Sequence, residues 1–129
     1  MTSPRAIEGE NPLYLPQAKV YRGSCALGPC LVPVAEAPAP EGMEITLRIS
    51  RDGSEAFSGT TQVALLRRTP EELVRWLYRA QDFAAGAILL TGTSIIPAPE
   101  FTLRAGDEVR IAITGLGELV NTAEVIGPA

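Results

Sequence analysis

Met43, Ile45, Leu47 and Ile49 alternate with Glu44, Thr46 and Arg48. A period of two predicts a half-buried strand with its apolar side chains on one face. The alternation returns over 108–114, where Val109, Ile111 and Ile113 are expected to point inward and Arg110 and Ala112 outward. Asp52-Gly53 follows the first of these strands and supplies a hairpin turn, because glycine tolerates the positive φ such turns demand. Residues 54–61 are then the returning strand. Gly115-Leu116-Gly117 turns the chain after the later strand, and 118–125 reads as the last one. One segment has helical spacing instead: Leu73, Val74, Trp76, Leu77 and Ala80 share a face. Thr69 is placed to cap it, Pro70 loses nothing at the first helical position, and Glu72 completes a capping box. The helix is expected to run from about 70 to 81, with Trp76 in the core.

The remaining pattern is less regular. Leu27 to Val34 reads as a short strand ending at Pro33, and Ala87-Ile88-Leu89-Leu90 as a fully buried strand left through Thr91-Gly92-Thr93. Residues 1–24 carry prolines at 4, 12 and 16 and no periodic apolar face, which predicts a loop. Residues 35–42, rich in proline, alanine and glutamate, form a surface connection. Phe101 and Leu103 lead into the turn Ala105-Gly106-Asp107, which Asp107 is expected to serve.

A chain of 129 residues is enough for one ordinary domain. Its 46% hydrophobic content suits a packed core, and 12 glycines and 11 prolines favour turns and short strands over a helix bundle. The net charge of -4 and the lack of a basic block argue against a nucleic-acid partner. Met1-Thr2-Ser3-Pro4-Arg5 opens no apolar run, and the longest apolar stretch, near 84–90, is too short to span a bilayer. A cytoplasmic chain with no membrane partner is the expectation. Cys25 and Cys30, with no histidine in the chain, cannot complete a zinc site. They are expected to be buried or half-buried thiols.

The absence of histidine also removes the usual general base, so any chemistry falls to carboxylates, tyrosines, hydroxyls, a metal or a lysine. Lys19 is the only lysine, against ten arginines. An ammonium that can shed its proton is a different tool from a guanidinium that cannot. Residue identity alone leaves open a chance lysine in an arginine-preferring chain. Thr91-Gly92-Thr93 offers two hydroxyls and a glycine that permits close approach, which makes either a carboxylate cradle or an ordinary turn. Glu8 and Glu10 would point the same way from an extended chain, as oxygen ligands for Mg²⁺ or simply as a solvated acidic loop.

Four blocks then fall into a known order. They are Lys19 with Ala26-Leu27-Gly28-Pro29, Leu89-Leu90-Thr91-Gly92-Thr93, Leu103-Arg104-Ala105-Gly106-Asp107-Glu108-Val109, and Gly115-Leu116-Gly117-Glu118-Leu119-Val120-Asn121. Together they resemble the catalytic region of the fumarylacetoacetate hydrolase family, from near residue 3 to the end. The stretch from Ile7 to Tyr21 is similar to the branch of 2-keto-3-deoxy sugar-acid dehydratases.

The resemblance implies an α+β, mainly β fold, the family's mixed β-sandwich roll. It implies a Mg²⁺-dependent lyase in which a metal-bound 2-keto acid loses a C3 proton to give a stabilised enolate. Lys19 matches the family's active-site lysine. Thr93 matches the threonine that holds the substrate carboxylate, with Thr91 beside it. Glu8, Tyr21 and Gly28 fall where relatives line the substrate. The family's metal is held by a Glu-x-Glu pair and an aspartate. Nothing here matches the pair, the aspartate would fall at or ahead of Met1, and Ala6 stands where relatives carry an acidic residue. The chain therefore resembles the C-terminal portion of the catalytic domain, with the magnesium ligands expected outside it. Association with an N-terminal half or with further copies is expected. Two alternatives remain: an acylpyruvate-type carbon–carbon hydrolase, and a non-catalytic remnant or subunit that binds a 2-keto acid or an intact relative.

Overall fold

The computed structural model describes residues 9–127. Its centre is a four-stranded antiparallel sheet in the order β2-β1-β3-β4. The strands are β1 (Glu44–Arg51), β2 (Ser54–Gln62), β3 (Glu108–Ile113) and β4 (Gly117–Thr122). β1 and β2 form the expected hairpin through Asp52 (φ 51°) and Gly53 (φ 77°). Two consecutive positive φ values match the right-handed twist of the flanking strands. A register shift between Ile49 and Ser50 bends the hairpin near its turn. β3 returns from far along the chain to pair with β1, placing Ile45 opposite Ile113, Leu47 opposite Ile111 and Ile49 opposite Val109. β4 completes the sheet, with Leu119 opposite Ile111.

Residues opposite one another share a face, so both period-two patterns fall on one apolar surface as predicted. Ile49 is buried in it, and Ile95 from the long connector packs onto it at Gly59. A Cβ at Gly59 would stand 2.6 Å from Ile95 Cγ2, so this close approach needs a residue without a side chain. The other face is polar. There Arg110 bonds Glu108 at 2.6 Å and Glu118 at 2.8 Å, and these carboxylates raise its pKa further above the ordinary guanidinium value.

Beside the sheet strands the described residues hold two complete short α-helices: α1 (Leu15–Lys19) and α2 (Pro70–Leu77). Thr69 caps α2 by accepting from the Glu72 amide at 3.2 Å. Glu71, in the first turn, is held below its ordinary pKa by its own backbone N–H and then by the Thr69 hydroxyl. Arg68 reaches Glu72 at 3.9 Å.

Several expectations are corrected. α2 ends at Leu77, not near 81, because the chain turns at Tyr78 and sets that ring edge-on against Phe83 at 5.3 Å. Trp76 is not core: it is 58% exposed and stacks under the Arg79 guanidinium at 4.6 Å. The opening segment is not wholly irregular. Asn11 accepts from the Leu13 amide at 2.9 Å, starting a 3-10 turn over Pro12–Tyr14 that runs into α1. β4 ends at Thr122 rather than 125.

Leu27 to Val34 forms no strand, and Leu31 and Val34 stay 90% and 93% exposed. Pro29 and Pro33 cannot donate to a ladder. Ala87 to Leu90 forms no strand either, and Ile88 is 60% exposed. A continuous apolar run signals that a segment needs cover, but not that a strand edge lies within reach. Cys25 and Cys30 are both exposed rather than buried. Among the described residues no helix is long and apolar enough to cross a membrane.

Candidate functional site

The end of β2 and the connector that follows residue 90 border an open cavity of about 230 Å³. Gln62, Leu65, Leu66 and Arg67 line it from the β2 side, and Thr91, Gly92, Thr93 and Ser94 from the other. Two contacts hold the connector in place. Ser94 and Thr61 share a hydroxyl hydrogen bond of 2.7 Å, and the next residue, Ile95, packs against Gly59. The Ile95 amide donates to Thr93 Oγ1 at 3.1 Å. That bond occupies an acceptor position of the hydroxyl and leaves its proton for an outside acceptor. Gly92 has φ 81°, and a Cβ there would meet nothing within 4 Å. The backbone bend therefore requires glycine, while the space above it stays open. Thr91 and Thr93 are thus brought to one cavity wall with donor chemistry suited to a carboxylate.

The other sequence-derived candidates lie elsewhere. Lys19 is the last residue of α1 and half-buried; its neighbour Ala18 is fully buried and pins the short helix. Tyr21 follows in a tight turn closed by the Ser24 amide on the Tyr21 carbonyl at 3.1 Å. Gly28 lies against β4, where a Cβ would come within 3.3 Å of Leu119 Cδ1. None of these three lines the threonine cavity. Glu8 lies outside the described residues, and Glu10 is exposed.

Asp107 does more than serve its turn. It is 1% exposed, accepts the Arg104 amide at 2.8 Å, and takes a two-pronged contact from Arg51 at 2.8 and 2.7 Å. Arg51 also donates to the Thr102 carbonyl at 2.9 Å and lies 5.7 Å from the Phe101 ring. The Arg51 guanidinium, followed by the Arg104 amide, holds the Asp107 carboxyl down at about 2. This cluster ties the far end of the connector to the end of β1. Its role is positional, and a lone aspartate in a turn sequence did not disclose it.

Among the described residues no group of three or more acidic or cysteine side chains converges to hold a metal ion. These residues do not fit a magnesium site by themselves.

The sequence profile described as the C-terminal part of fumarylacetoacetate (FAA) hydrolase matches residues 1–124. The chain belongs to the fumarylacetoacetate hydrolase family. It is 42% identical over 124 residues to a protein of Haloferax volcanii described as a probable 2-keto-3-deoxyxylonate dehydratase, covering 96% of this chain and 43% of the relative. It is 42% identical over 118 residues to 2-dehydro-3-deoxy-D-arabinonate dehydratase of Saccharolobus solfataricus, covering 92% of this chain and 40% of that one. A solved structure of 2-keto-3-deoxy-D-arabinonate dehydratase complexed with magnesium and 2,5-dioxopentanoate superposes with a TM-score of 0.89 at 42% identity, over 93% of this chain and 43% of the other. The family, the sugar-acid branch and the mainly β fold all agree with the sequence reading. The chain spans less than half the length of these relatives.

The sequence reading missed Gln62, Leu65, Leu66, Arg67 and Ser94 as cavity residues. The visible signal was the Arg67-Arg68 pair just ahead of the Thr69 cap.

Proposed function

We propose that this chain forms the carboxylate-binding and proton-transfer part of a cytoplasmic, magnesium-dependent dehydratase of 2-keto-3-deoxy sugar acids. The observation that carries the reading is Thr93. Its hydroxyl accepts from the Ile95 amide, which leaves its proton for an outside acceptor, and the residue lines the cavity; the relatives of matching sequence are dehydratases of this substrate class. In this reading Thr91 and Thr93 hold the substrate carboxylate, while Tyr21 and Gly28, which do not line the threonine cavity, and Glu8 are assigned to the substrate by family resemblance alone. Lys19 takes the C3 proton or returns it, a task an amine performs and a guanidinium does not. Magnesium, present in the relative's structure, is held by residues outside the described part of this chain.

The apolar exposure supports a partner. Ile88, Leu89 and Leu90 are exposed in the segment leading into the cavity, and the buried aliphatic set among the described residues is small: Ala18, Ile49 and Ile95. Contiguous apolar surface of this kind marks an interaction site. A polypeptide carrying the family's N-terminal half is the occupant that would also bring the metal ligands.

Deuterium exchange at C3 of pyruvate in D2O with magnesium tests the reading, with Lys19→Met as control and binding followed in parallel. Exchange that Lys19→Met abolishes while pyruvate still binds supports it. Binding without exchange favours a non-catalytic 2-keto acid binder. A folded chain that neither binds pyruvate nor exchanges it overturns both.

A further inference from the structure

Arg67 and Arg68 are adjacent but differ in what they meet. Arg68 is engaged by Glu72 one helical turn on. Arg67 makes no hydrogen bond or ion pair with any described residue, yet it lines the threonine cavity. That cavity contains no carboxylate: Gln62, Ser94 and the two threonines are its other polar side chains. Leu65 and Leu66 form its apolar wall. A single guanidinium among hydroxyls, with no acid to neutralise it, selects for an anion.

We propose that Arg67 is a binding residue of this site and supplies the positive charge that pairs with the ligand carboxylate held at Thr91 and Thr93. The inference rests on the assignment of those threonines to a carboxylate and adds a residue and a specificity to it. The planar guanidinium presents parallel N–H groups that match the two oxygens of a carboxylate. The Thr93 hydroxyl adds a third donor. A cavity so built favours a 2-oxo acid over its neutral amide, because the amide leaves the guanidinium without a counter-charge. The same charge makes binding weaken as salt rises. Position assists as well: Arg67 lies two residues beyond the 3-10 turn Val63–Leu65, and the Thr69 cap two residues later fixes the start of α2. The backbone on both sides of Arg67 is therefore held, which fixes the point from which its side chain extends.

The test is titration calorimetry of the full chain with pyruvate and with pyruvamide, at low and moderate salt. Wild type is compared with Arg67→Gln, Arg67→Lys and Thr93→Val. Arg67 is exposed and makes no bond to a described residue, so its variants are expected to fold as wild type does, which circular dichroism checks. Arg67→Gln is expected to weaken pyruvate binding by about tenfold to a hundredfold, the range for a hydrogen bond to a charged group. It should also remove most of the preference over pyruvamide and most of the salt dependence. Arg67→Lys should keep the salt dependence and part of the affinity. Pyruvate binding that Arg67→Gln leaves unchanged, while Thr93→Val abolishes it, overturns the role of Arg67 and spares the cradle. Loss in Arg67→Gln with none in Thr93→Val keeps Arg67 as an anion-binding residue but overturns its pairing with a carboxylate held at Thr93. A folded wild-type chain that binds no pyruvate overturns both.

Discussion

Ile45, Leu47 and Ile49 on β1 and Ile88, Leu89 and Leu90 on the connector are comparable aliphatic triplets in opposite settings. The first set alternates with polar residues and lies on a sheet face whose partners come from β2 and β3. The second set is continuous, belongs to no ladder and remains exposed. The difference lies in what each pattern asks of the rest of the chain. An alternating strand closed by Asp52-Gly53 obtains its first neighbour from the residues that follow it. A continuous run is apolar on both sides and must be supplied with cover from elsewhere. The candidate site sits at the boundary between the two, where Thr61 and Gly59 of β2 hold Ser94 and Ile95 of the connector.

Breaking the anchor at the connector's far end should have the largest effect. Asp107→Ala leaves the Arg51 guanidinium without its buried partner, and removing one member of such a pair costs more than the pair itself contributes. Its urea midpoint should fall further than those of variants at Ile49, Gly59, Thr69 or Ile88. Within the sheet, Ile49→Ala should lower stability by about 2–4 kcal/mol, as expected for an aliphatic side chain deleted from a packed core, measured by urea unfolding. Gly59→Ala attacks the junction. The added methyl meets Ile95 at 2.6 Å, so a loss of about 1–3 kcal/mol is expected for overpacking. Weaker pyruvate binding should accompany it, because Ile95 carries the amide that orients Thr93. Thr69→Ala removes the α2 cap and should cost about 1 kcal/mol. Ile88→Asp should change the stability of the isolated chain by less than about 0.5 kcal/mol. A large loss there would show the connector to be packed after all and would dissolve the contrast.

Acid sharpens the same contrast. Asp107 titrates at about 2 when folded, below its ordinary 3.8. A depressed carboxyl contributes stability that is fully present above the ordinary value and is lost as pH falls through the folded one. Unfolding midpoints collected from pH 5 down to pH 2 should therefore fall over the lower part of that range in wild type. In Asp107→Asn the part due to this group should be absent. An identical decline in both proteins would remove Asp107 as its source.

The local elements could be read from local chemistry. The alternation in β1 and β3, the Asp52-Gly53 turn and the Thr69 cap each act within a few residues, so their signals sit together in the sequence. The family could be read from the order of four motif blocks, and with it the mainly β fold. What tertiary structure decided was which surfaces meet. It brought Arg67 and Thr93 to one cavity and bound Arg51 to Asp107 across the sheet end. It left Trp76, Leu31 and Ile88 in solvent although their hydrophobicity called for burial. Hydrophobicity is non-directional and states only that a side chain favours leaving water. Whether a covering surface is present depends on contacts between residues far apart in the chain, and no local pattern contains that information.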